Sequence, residues 1–514
     1  MEIAAASAVF CVSLVSVLAM LAYRFLDRVW LKPKRLENCL VRQGLSGSTY
    51  RLLYGDSRDE NKACREANSK PINLSDDIVP RLLPYVNLQI KKYGGSFVTW
   101  SGPTPKLFLL ELDLVREVFA RIGEFHNPHA DSIIKLLASG VASYNDDKWA
   151  KHRMILNPAF HLQKLKNMVQ AFHICASEIT GKWETLVSRD GSCELDVWPD
   201  LHNLTRDIIS RTAFGSSFEE GRRIFELQKE LIGVLFQATV LEYIPGYRFL
   251  PTQLNRKIKV IDQEIRAKLR AIIVKKKNAV KAGTAASDDL LGILIESNQR
   301  QMKELKNGMT IEDVIEECKL FYFAGQETTA NLLVWTMILL SQHEEWQARA
   351  REEVQQVFGD KKPNMDGINQ LKILNMILHE VLRLYPPIML LTRATYKETK
   401  LGDFTLPSGV NVCIPILMFH HDPKLWGPDA REFNPLRFAE GVSKASKGHV
   451  AFLPFGWGPR ICIGQNFALL EAKVVMVVIL QRFSFKLSPS YTHAPCCGIT
   501  AHPQHGAHLV LHKN

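Results

Sequence analysis

The sequence predicts one large, mainly helical domain behind a single N-terminal membrane-spanning helix. Three observations carry that expectation. The run Ile3 to Tyr23 contains no charged residue and is about as long as a bilayer crossing requires. Long apolar stretches of helical character, Thr310 to Leu340 and Gln465 to Leu480, lie in the second half of the chain. No internal repeat and no Ser/Gly/Pro-rich linker divides the 514 residues, so one domain with a sizeable core fits better than several small ones.

The first element reads as a retained signal anchor. Arg24, Arg28, Lys32, Lys34 and Arg35 follow the apolar run and only Glu2 precedes it, which places the remainder on the cytosolic side. A cleaved signal peptide would need a basic start and a small-residue cleavage site, and neither is present. Residues 1–30 are therefore expected to form the anchor and 31–514 the folded domain, with Trp30 at the interface. Hydrophobic content of 46% and charged content of 23% are ordinary for a globular chain. The ten cysteines are scattered apart from the pair 496 and 497, which argues against a disulfide scaffold or a zinc site. The net charge of +11 comes without basic-aromatic interleaving, so no nucleic-acid partner is expected. Membrane lipid or an acidic protein fits better. Lys275, Lys276, Lys277 and Lys281 read as a solvated helix end.

Further elements follow in chain order. Trp149 and Arg153, at i and i+4, share one face of a helix; alone, a Trp on an Arg stem is a common surface pair. Thr310 caps a long helix with Asp313 as an imperfect capping-box partner. In its middle stand Ala324-Gly325-Gln326-Glu327-Thr328-Thr329. Gly325 costs about 1 kcal/mol relative to Ala in a helix, and a polar cluster in an apolar helix costs more if left unpaired. Such a helix has a solvated face there or a site. Glu380 and Arg383, at i and i+3, lie on a helix stopped by Pro386-Pro387; such a pair is usually a surface ion pair of small worth. Phe433-Asn434-Pro435-Leu436-Arg437-Phe438 follows. Last comes Pro454 to Gly464, where Gly456, Gly458, Pro459 and Gly464 preclude a regular strand or helix interior. That loop presents one sulfur, Cys462, together with free backbone N–H groups.

Taken together these stretches resemble the cytochrome P450 superfamily. Phe455, Gly458, Arg460, Cys462 and Gly464 reproduce its Phe-x-x-Gly-x-Arg-x-Cys-x-Gly loop. The resemblance implies an α-rich P450 fold with small β-sheets, so that residues 31–514 form the heme-thiolate catalytic domain. It implies heme b with Cys462 as axial ligand, a thiolate that favours O–O cleavage. Phe455 packs near the sulfur, Arg460, Trp149 and Arg153 serve the heme propionates, and Arg393 meets a propionate or, as the alternative, a substrate carboxylate. Thr328 and Glu327 match the alcohol and the acid of the oxygen-binding motif. Glu380, Arg383 and Arg437 match a buried structural triad, with Leu436 where Glu is common. O2 is the co-substrate, and electrons come from NADPH through NADPH–cytochrome P450 reductase.

Gly44 to Arg51, Trp149 to Phe160, Ile208 to Phe225, Glu316 to Thr329 and Gly464 to Lys473 resemble the plant family-72, secologanin-synthase-like branch. That likeness implies a single-pass endoplasmic-reticulum monooxygenase, with its catalytic domain cytosolic, hydroxylating a small hydrophobic isoprenoid such as an iridoid, triterpenoid or gibberellin. Oxidative C–C cleavage, an oxygen-independent isomerase or lyase of the same fold, and a non-catalytic heme carrier or sensor are the alternatives. By the same analogy Phe321, Ala324, Ile388, Met389, Leu390, Leu391, Cys496 and Cys497 border the substrate. The Phe125 to Leu137 loop and the Leu227 to Tyr247 region supply the remaining wall.

Overall fold

The computed structural model describes residues 2–128, 136–137, 139–189, 191–215, 218–238, 246–282, 289–305 and 308–514. Both expected outer walls, 125–137 and 227–247, lie partly outside those residues. Helix α1 (Glu2–Leu26) has 25 residues, about 37 Å of helix, more than the roughly 30 Å hydrocarbon core of a bilayer. Its side chains from Phe10 to Leu26 are all exposed. The helix does not end at the basic residues. A π-helical turn, Asp27–Leu31, leads directly into α2 (Lys32–Arg42). Pro33 lacks the N–H that would bond four residues back in this continuous helix, which leaves the Val29 carbonyl to another donor. Packing begins just ahead of the expected boundary, at Val29, which is buried and whose carbonyl accepts from the Tyr50 hydroxyl.

The centre of the domain is α7 (Ile311–Gln342), 32 residues long. It begins where the sequence predicts. Thr310 Oγ1 accepts from Asp313 N at 3.1 Å, and Asp313 Oδ2 accepts from Thr310 N at 3.0 Å, a complete capping box with Asp in the Glu position. Packed around α7 are α5 (Val197–Phe214), α8 (Lys372–Leu384) and α9 (Gln465–Arg482). Helix α9 is apolar on every side from Val474 to Leu480 and is correspondingly buried throughout. Other helices used below are α3 (Ser57–Asn68), α4 (Asp146–Leu156) and α6 (Gln253–Lys281). At the end of α6 Lys275 and Lys277 are exposed as expected, but Lys276 folds onto Asp289, leaving its side chain only 13% exposed.

The strands are few and short, as the P450 resemblance implies. A six-stranded mixed sheet has the order β1 (Ser46–Gly47), β2 (Phe97–Ser101), β3 (Thr104–Phe108), β9 (Asn411–Pro415), β6 (Leu390–Thr395), β4 (Phe125–His126). Antiparallel pairing of β6 with β9 sets Leu391 opposite Ile414 and Arg393 opposite Val412. Smaller sheets join β5 (Ser192–Asp196) with β10 (Phe483–Leu487) and β13 (His508–Lys513), and β7 (Thr399–Leu401) with β8 (Phe404–Leu406). A C-terminal hairpin joins β11 (Pro495–Cys497) to β12 (Ala501–Pro503). It is pinned to the segment before β6 by a hydrogen bond from Ala501 N to Pro387 O at 3.1 Å.

Candidate active site

The glycine-rich loop holds Cys462 at the threshold of α9. Gly456 and Gly458 both adopt φ of 74°, a left-handed conformation that other residues rarely take. A side chain at Gly458 would also press on the Phe119 carbonyl, 3.0 Å away. The Cys462 N–H donates to Phe455 O at 2.9 Å and closes the turn. The cysteine is exposed by surface area, yet burial pushes its thiol up, against the backbone N–H of Gly464, the charge of Arg153 and the backbone N–H of Gln465. These two facts are compatible if the sulfur faces an enclosed opening rather than bulk solvent.

A second interior surface is left uncovered on α7. Val314, Ile315 and Glu317 to Tyr322 are buried, and Thr329 to Ser341 are buried, but the six residues Phe323 to Thr328 between them are only half-buried. Gly325 serves packing rather than the opening: a Cβ there would lie 2.7 Å from Ile209 of α5. Thr328 Oγ1 donates to Ala324 O at 2.8 Å, a bond of the i to i−4 kind that quiets a hydroxyl inside a helix. Glu327 Oε1 accepts from Thr500 Oγ1 at 2.8 Å.

Three guanidinium groups, Arg393 buried and Arg153 and Arg460 half-buried, have no carboxylate at salt-bridge distance among the described residues. Arg460 donates to Tyr144 O at 2.8 Å and Asn145 Oδ1 at 3.0 Å and lies 4.5 Å over the Trp149 ring. Arg393, 7% exposed, donates to Thr392 O at 3.0 Å. The Nε of each is buried without a hydrogen-bond partner. Burial lowers both to about 10, and for Arg393 the neighbouring Arg460 adds to the fall. Arg153 donates to Ile461 O at 2.9 Å, beside the cysteine; burial lowers it too. Buried like charges are costly unless an anion joins them. A single thiol with N–H groups aimed at it, set near cations that lack an anion, fits an iron porphyrin bearing two carboxylates.

The expected triad is fully assembled. Arg383 grips Glu380 with two bonds of 2.7 Å, and Arg437 Nε reaches Glu380 Oε1 at 3.4 Å. Glu380 and Arg383 are wholly buried and the Arg437 side chain is 9% exposed. The spare N–H groups of Arg383 reach the carbonyls of His420, Ala430 and Glu432, while Arg437 donates to those of Trp426 and Asp429 and pairs with the Asp429 carboxylate. Leu436, which replaces the usual Glu, is 52% exposed and takes no part.

His420, which the sequence reading did not single out, joins this network to the cysteine loop. Its Nε2 accepts from Leu453 N at 2.8 Å, so Nδ1 carries the proton and donates to Arg383 O at 3.1 Å. Protonation at Nε2 would set two donors against each other. Burial, then Arg383, pushes the His420 pKa well below its ordinary value of 6.5. Below that value the unfolded chain takes up a proton that the folded chain refuses. Stability is therefore intact above about pH 6.5 and falls as pH drops, by roughly 1.4 kcal/mol per pH unit for this group. In His420→Gln the amide can accept without titrating, so the slope of melting temperature against pH between 5 and 6.5 should flatten. An unchanged slope would remove His420 from the acid limit of the fold.

The expected pocket residues are not all brought together. Leu391 lies against Gly456 of the cysteine loop at 3.6 Å from its ideal Cβ position, and Ile388, Leu390 and Ala324 are half-buried. Phe321 and Met389 are packed into the core, Phe321 edge-on to Phe160. Cys496 turns inward to His502 Nε2 at 3.2 Å, while Cys497 is exposed and bears electrostatically on Cys64 of α3. From the hairpin it is Thr500 that meets α7. Asn331, four residues after Glu327 on one face, was a legible clue to that contact. Thr500, more than 170 residues away, carried none.

Residues 83–504 match the cytochrome P450 family. Cytochrome P450 72A15 of Arabidopsis thaliana is 57% identical over 514 residues, the whole of both chains. Cytochrome P450 CYP72A219 of Panax ginseng is 55% identical over 508 residues, 98% of each. The 7-deoxyloganic acid hydroxylase of Catharanthus roseus is 51% identical over 521 residues, again covering both chains completely. A thiol, a set of anion-seeking arginines and a half-open α7 at the expected places agree with that likeness. The chain belongs to the cytochrome P450 family, in its plant 72A group, and is a heme-thiolate monooxygenase.

Proposed function

We propose that this P450 hydroxylates a small hydrophobic terpenoid of the iridoid, triterpenoid or gibberellin kind. Electrons reach it from NADPH through NADPH–cytochrome P450 reductase, at the endoplasmic-reticulum membrane, with the catalytic domain in the cytosol. The observation that carries this reading is the Glu327-Thr328 pair on the one stretch of α7 that the core leaves half-open. An isomerase, lyase or carrier has no need of it. Hydroxylation is favoured over C–C cleavage by the full-length likeness to a 7-deoxyloganic acid hydroxylase. The apolar run Ile388 to Leu391 suits a hydrocarbon skeleton, and the exposed apolar α1 suits membrane anchoring.

Heme, when bound, supplies reductive O2 activation and oxidation of a substrate C–H bond. The chain supplies the rest. Cys462 donates its thiolate, stabilised by the Gly464 and Gln465 N–H groups. Arg153, Arg393 and Arg460, the last stacked on Trp149, receive the carboxylates. Thr328 offers a hydroxyl to the opening, and Glu327 behind it takes protons from the polar side of α7 and passes them on. Phe455 shields the sulfur from water.

A Thr328→Ala protein should load heme normally and consume NADPH, yet yield about tenfold less product per NADPH, the remainder leaving as hydrogen peroxide. Unchanged coupling would remove the proton-delivery role. The substrate class is tested with microsomes containing a reductase and NADPH. These are offered 7-deoxyloganic acid, a triterpenoid and a gibberellin precursor, with products read by mass spectrometry. A mass gain of one oxygen supports hydroxylation, and ring-opened product supports cleavage.

A further inference from the structure

We propose that Thr500, in the turn of the C-terminal hairpin, is a positioning residue for Glu327, and that it ties proton delivery to the seating of that hairpin. The inference rests on the reading of Glu327 as the proton-relaying acid.

Glu327, Asn331 and Trp335 follow one another at i, i+4 and i+8 on α7 and share a face. The turn before β12 docks on that face. Trp335 Nε1 donates to Ala501 O at 3.0 Å. Asn331 Nδ2 donates to Thr500 Oγ1 and to the backbone oxygen of Glu327, both at 2.8 Å. Thr500 Oγ1 lies 2.8 Å from Glu327 Oε1.

Donor arithmetic gives this chain one direction. The amide nitrogen of Asn331 has two hydrogens, and both are used. Thr500 therefore accepts from Asn331 and must place its own single hydrogen on Glu327 Oε1. Asn331 is wholly buried and Thr500 is 1% exposed, so water does not substitute for either. Glu327 itself is half-buried. Its Oε1 is the oxygen that Thr500 holds. Arg206 of α5 bears electrostatically on Glu327 from a different helix and holds no oxygen in place.

The other end of the turn touches the substrate side. Ala501 N donates to Pro387 O at 3.1 Å, immediately before the apolar run Ile388 to Leu391. A molecule that displaces this run moves the hairpin, and with it the hydroxyl that fixes Glu327. The acid is thus aligned only when hairpin and run are seated together.

The test uses the full-length, heme-loaded protein with its reductase and NADPH, without added substrate. Two products then compete: O2 with one NADPH and one proton gives hydrogen peroxide, and O2 with two NADPH and two protons gives two waters. The second route needs the extra proton delivery. Thr500→Val should raise the peroxide-to-water ratio by up to about 100-fold, the scale of a group misplaced by about 1 Å, and Thr500→Ser should restore it. In the resting protein, the infrared carboxyl band identified by its loss in Glu327→Gln should shift in T500V and return in T500S. Where T500V does not load heme, Thr500→Cys, a weaker donor, carries the same expectation. If E327Q raises the ratio while T500V matches the parent in ratio and band, Thr500 does not position the acid. If E327Q itself leaves the ratio unchanged, Glu327 is not the relay, and both readings fall.

Discussion

Cys462→Ser protein is expected to lack the thiolate signature in its ferrous–CO spectrum and to lose turnover by more than the roughly 10–100-fold that removal of an outer partner costs. The reason lies in how little else the loop could offer. Serine keeps the shape of the turn, because the Cys462 N–H to Phe455 O bond and the left-handed glycines do not depend on sulfur. What changes is the donor. The Gly464 and Gln465 N–H groups and Arg153 favour an anion at this position, and a thiol surrenders its proton far more readily than an alcohol. The fold should survive, with a melting temperature within a few degrees of the heme-free parent. A retained thiolate spectrum would mean that the ligand is another residue. Among the other cysteines, 175, 318, 413 and 496 are buried and burial raises each.

The second large effect concerns stability rather than chemistry. Arg383→Ala should leave little folded, heme-loaded protein. Truncation strands the Glu380 carboxylate in a fully buried site and unpairs the carbonyls of His420 and Ala430. Breaking a buried pair from one side costs about 3–5 kcal/mol, and each buried polar group left unmet adds about 1–3 kcal/mol. A whole domain has only about 5–15 kcal/mol in hand. Arg383→Lys should fare little better, since an ammonium cannot reproduce the two-pronged grip on Glu380. Heme content per unit protein and thermal melting measure the loss. Near-normal heme content in R383A would show the triad to be dispensable.

The two cases differ in how they could be read from sequence. The cysteine loop was legible because its constraints are local: glycines, proline, arginine and cysteine stand within a dozen residues. The capping box at Thr310 and Asp313 was legible for the same reason, and α7 begins there. The triad needed a resemblance, since nothing local distinguishes Glu380 and Arg383 from a surface pair. His420, Asn331 and Thr500 were not found. Their partners lie 33 to 173 residues away; a lone His or Thr has no periodicity to betray it, and only Asn331, one turn after Glu327, carried a local clue. Lys276 was misjudged for a related reason: helix-end lysines are usually solvated, and only the fold brings Asp289 beneath it. The residues expected to border the substrate are only partly brought together. Leu391 reached the cysteine loop, but Cys496 and Cys497 point to His502 and toward α3, because alternation along a strand turns neighbouring side chains to opposite faces.

The join between α1 and α2 has a mechanical meaning. A flexible tether would let the domain tumble above the bilayer and meet lipid with any side. Here the helix continues through Asp27–Leu31 into Arg42, and Leu36 and Leu40 are already buried against the domain. The apolar rod and the folded body therefore share a stiff elbow, so a tilt imposed on α1 would be transmitted to everything behind it. With α1 set in a bilayer, a domain joined in this way would keep one attitude to the lipid instead of tumbling above it.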